Sequence, residues 1–241
     1  MYKIGVIGGT GTVGLFPGVA SEFDTIYGRV DIVLTRTEPR LIYIPRHGLK
    51  GNISPSEVNY RAIIDALLHH GVKHVLATTI ATRLNDKYSI GDIVVPHDII
   101  DLTTSRQKGF DPVNKPFVDM SRVFSERLRK IVVEKALQHG FRTHSEGVVI
   151  VIDGPRFETP AEARMYRALG GDILSMSLAP EAFMSREAGL EYVAIAIVLN
   201  DSADKGVKPS KDELLNEINK IKDRLRSLII DTAKAIEQLE S

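Results

Sequence analysis

Short apolar runs alternate along the chain with longer stretches of helical period. Ile4 to Ile7 is a β-branched run closed by glycines and predicts a buried strand. Arg29 to Thr35 and Arg40 to Pro45 predict two more. From Ser56 to His70 the period changes, with Val58, Ala62, Ile63, Ala66 and Leu67 on one helical face and Gly71 as the stop. His74 to Ala81 (HVLATTIA) returns to a buried strand, and Ile90 to Pro96 and Asp98 to Thr103 are strand pieces split at Pro96. Asp119 to Gly140 is a second amphipathic helix, with Val123, Leu128, Ile131, Val132 and Leu137 inward. Gly147 to Ile152 predicts a strand, and Pro160 to Leu169 a helix with proline in its first turn. Asp172 to Met176 is short and extended, Pro180 to Gly189 helical, and Tyr192 to Leu199 a buried strand. Ser210 caps a long last helix whose stripe is Leu214, Leu215, Ile218, Ile221, Leu225, Leu228, Ile229 and Ile236. The alternation predicts an α/β fold: one domain over residues 1–241, with a central mixed, mostly parallel β-sheet flanked by helices. Lys108 to Pro116 is turn-rich and apolar-poor, and is the expected mobile loop.

Composition narrows the function classes. Lys plus Arg and Asp plus Glu number 31 each, so the formal charge is zero and there is no electrostatic footprint for nucleic acid or an anionic membrane. No apolar run reaches bilayer-spanning length, and the N-terminus does not read as a signal peptide. The chain has no cysteine. That excludes disulfides, thiolate nucleophiles and cysteine metal sites, and fits a cytoplasmic protein. No metal-ligand cluster stands out, and no metal is expected.

Candidate chemistry starts at the N-terminus. Gly9-Thr10-Gly11-Thr12-Val13-Gly14 matches G-x-G-x-x-G, the dinucleotide-binding fingerprint. A dinucleotide site needs a helix opening directly after the glycines, to receive the pyrophosphate. Here LFPGVASEFDTIYG follows, with Pro17-Gly18 where the helix should be. An NAD-dependent oxidoreductase is therefore an alternative of another class. The loop still suits a small anion, since consecutive N–H groups of a glycine turn form a concave donor array and Thr10 adds a hydroxyl. A plain tight turn fits it equally well.

Four further stretches follow in order: PRHG at Pro45 to Gly48, VNYRA at Val58 to Ala62, GPRFET at Gly154 to Thr159 and MSLAPE at Met176 to Glu181. With IGGTG and GDIVVP, this ordered set resembles the trimeric purine nucleoside phosphorylase and 5′-methylthioadenosine phosphorylase family, nearest to its 6-oxopurine and methylthioinosine branch. The similarity runs from about Ile4 to about Asn200. It implies phosphorolysis: inorganic phosphate attacks C1′ of a purine nucleoside, through an oxocarbenium-like transition state, and releases the base. It implies no cofactor, with phosphate as co-substrate, and a homotrimer or homohexamer acting on small molecules.

Residue by residue, the resemblance implies a phosphate site made by Thr10, Arg46, His47, the main chain of Ile80, and Ser177. On its own, an Arg-His at a strand end such as Arg46-His47 reads more commonly as a surface ion pair. Met176 would pack on the ribose, Ala81, Thr82 and Phe157 would lie against the nucleoside, and Phe117 would close over the 5′ end from a neighbouring subunit. Glu158 and Asn200 carry base recognition. A carboxylate accepts from N1–H of a 6-oxopurine, and an amide NH₂ donates toward O6 or N7. Glu158, Asn200 and Ser177 form the implied catalytic set. Glu158 also reads as a helix-start carboxylate facing the dipole of the next helix, and Asp201 stands one residue beyond Asn200. Relatives have glycine where Thr82 stands and a small residue where Arg83 stands. Those two positions motivate a third class, a non-catalytic nucleoside-binding relative. A 5′-methylthioadenosine phosphorylase is the nearest alternative.

Overall fold

The computed structural model describes residues 2–36, 38–111, 113 and 117–239. Its strands are β1 (Ile4–Gly8), β2 (Gly18–Thr25), β3 (Gly28–Thr35), β4 (Leu41–Pro45), β5 (His74–Arg83), β6 (Ile93–Val94), β7 (Asp98–Asp101), β8 (Thr143–His144), β9 (Val148–Val151), β10 (Ile173–Ser175) and β11 (Glu191–Asp201). The helices are α1 (Tyr60–His69), α2 (Glu126–Gln138), α3 (Pro160–Ala168), α4 (Glu181–Glu187) and α5 (Lys211–Gln238).

One sheet runs β2-β3-β4-β1-β5-β10-β9-β7, and β11, beside β5, leads off through β6 to β8. The pairs β1/β4, β1/β5, β5/β11, β9/β10, β7/β9 and β6/β8 are parallel, so the sheet is mixed and mostly parallel. Strand β5 is the hub. Its apolar run lies between β1 and β11, and its last residues turn to pair with β10. Helices cover both faces. One core cluster includes Ile63 and Leu67 of α1 and Met184 of α4, and another includes Leu128 and Val132 of α2 and Leu225, Leu228 and Ile229 of α5. The central strands are thus shielded from water on both faces, as their near-continuous apolar runs require.

Boundaries differ from the sequence reading where a side-chain cap decides them. Helix α1 starts after Asn59, whose side chain accepts from the Ala62 N–H, and not at Ser56. Helix α2 starts after Ser125, which accepts from Leu128, while Asp119 caps only a turn at Ser121. Strand β2 was not foreseen because it is an edge strand, exposed along most of its length and without apolar alternation. The expected mobile loop, Lys108 to Pro116, falls partly outside the described residues. Its described part is tied down: Lys108 reaches Asp101 and Thr103, and the Phe110 and Asp111 N–H groups donate to Glu187 at 2.8 and 2.7 Å.

Candidate active site

The C-terminal ends of β1, β4, β5, β10 and β11 converge on a cavity of about 650 Å³. Open α/β sheets bind ligands at this end, where loops leave the strands. The glycine loop forms one wall, with Gly8 to Gly11 and Val13. No helix follows the loop; the chain turns into β2. That removes the dinucleotide reading. The Gly9 N–H donates to Thr78 Oγ1 at 2.9 Å, and Thr12 Oγ1 donates to the Gly9 carbonyl at 2.6 Å, so the loop is clamped from below. A Cβ at Gly9 would lie 2.6 Å from the Thr78 carbonyl, which is why glycine stands there. The Thr10 and Gly11 N–H groups and the Thr10 hydroxyl have no partner among the described residues, and both residues line the cavity.

His47, Thr79, Ile80 and Ser177 line the same end. His47 Nδ1 lies 2.9 Å from the Ile53 carbonyl. That carbonyl is only an acceptor, so Nδ1 carries the hydrogen and Nε2 keeps its lone pair. Burial, aided by the nearby Arg46 charge, pushes the His47 pKa down to about 4, so the ring is neutral near pH 7. Ser177 receives a fixed backbone, its N–H donating to Ser175 Oγ at 3.1 Å, and Thr79 Oγ1 shares a 2.8 Å hydrogen bond with the same Ser175 hydroxyl. The next residue, Leu178, has φ of 87°, a left-handed conformation unusual for a branched residue and a form of strain that clusters at functional loops.

Arg46 departs from expectation. Its side chain is fully buried and is not on the cavity wall. Nε and Nη2 grip Glu181 at 2.7 and 2.8 Å, and Nη1 donates to the Thr78 carbonyl at 2.8 Å. Burial disfavours the charge, but the attraction and hydrogen bonds of Glu181 outweigh it and raise the Arg46 pKa. The guanidinium fork therefore braces the floor beneath the glycine loop, with its donors committed to Glu181 and the Thr78 carbonyl and not to the cavity wall. Ala81 is likewise buried behind the wall. Phe117 is fully exposed and apart from its own chain's cavity.

The other end is built by Phe157, Glu158, Thr82, Asn200 and Met176. A Cβ at Gly154 would meet Met176 Sδ at 2.7 Å, so the glycine of GPRFET makes room for that side chain. Glu158 Oε1 accepts from the Ala203 N–H at 2.9 Å and pairs with Lys208 Nζ at 2.7 Å. Its Oε2 is buried with no partner among the described residues. The helix-start role belongs instead to Glu162, which closes the capping box of α3 with Thr159. Its hydrogen bonds to Arg156 hold its pKa down at about 2. A register shift in β11 between Val198 and Asn200 sets Asn200 opposite Thr82. Asn200 Nδ2 donates to Thr82 Oγ1 at 2.7 Å and lies 3.2 Å from the Asp201 carbonyl. The NH₂ expected to reach the base is therefore turned inward. Asp201 pairs with Arg83 and does not line the cavity.

Several members of the site carry no sequence signature. Lys208 sits 4.9 Å above the Phe157 ring, and burial lowers its pKa although Glu158 opposes this. Arg106 gathers the carbonyls of Asp153, Met176 and Ala179, at 2.8, 2.8 and 2.5 Å, joining the GPRFET and MSLAPE loops. Helix α5 adds Lys211, Leu214, Leu215, Asn219 and Lys222 to the cavity, so the first two residues of its apolar stripe serve the site, Leu214 while also packing against the core.

The chain is similar to known proteins over most of its length. The family described as the Phosphorylase superfamily matches residues 3–234. A probable S-methyl-5′-thioinosine phosphorylase of Methanopyrus kandleri is 35% identical over 242 aligned residues, covering 100% of this chain and 91% of the relative. A 6-oxopurine nucleoside phosphorylase of Pyrococcus furiosus is 34% identical, covering 95% and 91%. Methylthioadenosine phosphorylase from Schistosoma mansoni, solved with adenine, superposes with a TM-score of 0.91 at 31% identity, covering 99% of this chain and 93% of that one.

Proposed function

The chain belongs to the phosphorylase superfamily, and on that footing we propose that it cleaves purine nucleosides with inorganic phosphate, preferring a 6-oxopurine base. Phosphate binds between the free N–H groups of Thr10 and Gly11, the hydroxyls of Thr10 and Ser177, His47, Thr79 and the main chain of Ile80. Lys211 and Lys222 on the facing helix supply positive charge. From that seat a phosphate oxygen attacks C1′ as the glycosidic bond opens, and ribose 1-phosphate, or 5-methylthioribose 1-phosphate, leaves with the free base. Met176 packs on the sugar, and no further cofactor is needed. The negative charge on the departing base is met at the Glu158–Asn200 end.

The observation that carries the base preference is Glu158. One oxygen is held by an N–H and an ammonium, and the other is buried and unpartnered. An N1–H donor satisfies that oxygen, whereas a 6-aminopurine turns the N1 lone pair toward it. Sites that leave a buried polar atom unpaired discriminate strongly. A second reading, 5′-methylthioadenosine phosphorylase, has one observation in its favour. With its NH₂ held by Thr82, Asn200 keeps an Oδ1 that has no partner among the described residues, and Oδ1 can accept from a 6-amino group. Phe117, exposed on its own chain, is proposed to cap the site of a neighbour in a homotrimer or homohexamer. Among the described residues no helix is long and apolar enough to cross a membrane, and we place the enzyme in the cytoplasm. Base release from inosine, guanosine, 5′-methylthioinosine and 5′-methylthioadenosine, with and without phosphate, is the test. Turnover of methylthioadenosine alone, or release that ignores phosphate, refutes the proposal.

A further inference from the structure

The hydrogen bonds of Thr82 leave one proton unassigned. A hydroxyl has two lone pairs and a single hydrogen. Thr82 Oγ1 accepts from Asn200 Nδ2 at 2.7 Å and lies 3.4 Å from Lys208 Nζ, so both lone pairs face donors. The amide cannot turn over to relieve this, because Asn200 Oδ1 would then lie against the Asp201 carbonyl that Nδ2 now approaches at 3.2 Å. No acceptor for the Thr82 hydrogen exists among the described residues, and Thr82 lines the cavity while being only 5% exposed. Lys208 also bridges to Glu158 at 2.7 Å, which sets the Thr82 hydroxyl beside the carboxylate that takes N1–H. The atoms next along that edge of a purine are O6 and then N7, both acceptors.

We propose that Thr82 donates its hydroxyl hydrogen to the O6–N7 edge of the purine, in the place where Asn200 was expected to donate, with Asn200 and Lys208 holding the hydroxyl in that sense. The inference rests on the purine phosphorylase reading. It makes Thr82 a substrate-contacting residue whose bond strengthens as the leaving base gains negative charge.

The test is a cycle between the protein hydroxyl and the ligand acceptor, read as dissociation constants in the presence of phosphate. The ligands are hypoxanthine, 7-deazahypoxanthine, which lacks N7, and 6-thiohypoxanthine, which keeps N1–H but has a weak acceptor in place of O6. Thr82→Val should weaken hypoxanthine about tenfold, the worth of one hydrogen bond, while Thr82→Ser stays close to wild type. In wild type one of the two analogues should bind about tenfold worse than hypoxanthine. In Thr82→Val that difference should vanish, and the analogue concerned identifies the atom. Thr82→Ala serves in the same cycle if valine lowers the melting temperature. Equal weakening of all three ligands by Thr82→Val would mean that the residue only braces Asn200, and overturns the assignment. Unchanged hypoxanthine affinity, or a serine variant as weak as valine, overturns it too. If wild type binds none of the three, the purine reading fails and this assignment fails with it, whereas normal wild-type binding with no coupling sinks the assignment alone.

Discussion

Removing Glu181 tests whether Arg46 is a brace or an anion ligand. In the structure the two side chains are fully buried and joined by two charge-assisted hydrogen bonds of 2.7 and 2.8 Å. Tyr192 adds a 2.5 Å bond to Glu181 Oε1, and burial, reinforced by the Glu181 charge, raises the Tyr192 pKa well above its usual value. Glu181→Ala strands a guanidinium in a dry interior and leaves the Tyr192 hydroxyl without an acceptor. Removing one partner of such a pair costs about 3–5 kcal/mol. In a domain of this size each kcal/mol lowers Tm by about 2–4 °C, so the variant should melt about 6–20 °C below wild type. Calorimetry at one fixed phosphate concentration reads this without a ligand-linkage contribution that varies between samples. The paired replacement Arg46→Met with Glu181→Leu should regain more than half of the loss, because the buried charges leave together. Arg46→Lys keeps the charge but loses the bidentate grip, so it should lower Tm as well. A Tm shift below about 2 °C in Glu181→Ala would refute the brace. So would an Arg46→Lys enzyme with normal Tm and a strongly raised phosphate KM.

Thr10→Ala removes a free hydroxyl from the anion wall and should raise the phosphate KM about tenfold; an unchanged KM in steady-state assays would remove the glycine loop from the phosphate site. Asn200→Asp should lower the inosine-to-adenosine ratio of kcat/KM at least about tenfold, since a carboxylate accepts from a 6-amino group and repels O6; an unchanged ratio would take Asn200 away from the base. For His47 the folded pKa of about 4 lies below the usual 6.5. Between those values the unfolded chain binds a proton that the folded chain refuses, so stability falls as pH falls from about 6.5 to about 4. Because the ring partly faces cavity water, about 3 kcal/mol is the upper limit of that loss. His47→Gln should flatten melting temperature against pH across this window, and parallel curves for the two proteins would refute the neutral, Ile53-bound imidazole.

The parts of the molecule that could be read from sequence are those fixed by local pattern. Continuous apolar runs located β1, β5 and β11, and a period-3.6 stripe located α5, because each buries a long apolar stretch in the layers of the sheet. Contiguous motifs located Thr10, His47, Met176, Ser177 and Glu158, which line the cavity together. What the sequence hid is tertiary. An Arg-His at a strand end cannot announce that the arginine turns inward to a glutamate 135 residues away. Nor does Lys208, in a loop of ordinary composition, reveal that it lies against Glu158 and Phe157. Edge strand β2 escaped for the opposite reason: it buries too little to impose a pattern.

Thr82 and Arg83 show how far a local departure can be judged without its partner strand. Taken alone, a β-branched residue and a long cation where the family resemblance implies small residues threaten the floor of the base site. In the sheet, the register shift in β11 sets Asn200 opposite Thr82 and Asp201 opposite Arg83. Each newcomer meets a group of matching chemistry: a hydroxyl receives the amide, and a guanidinium receives the carboxylate. Arg83 also donates to the Tyr88 carbonyl at 2.8 Å, which carries its charge away from the cavity and fixes the turn after β5. The ion pair commits Asp201 to Arg83, so the aspartate that a one-residue slip would have presented to the base is already engaged. The same exchange turns the Asn200 NH₂ onto Thr82 and leaves the threonine proton as the donor facing the cavity. The picture of two unpartnered side chains at the floor, one support for the non-catalytic reading, therefore no longer holds. What replaces it is a base end whose polarity is set by two strand positions acting across one pair of hydrogen-bonded residues, and a change at Thr82 should alter the role of Asn200 as well as its own.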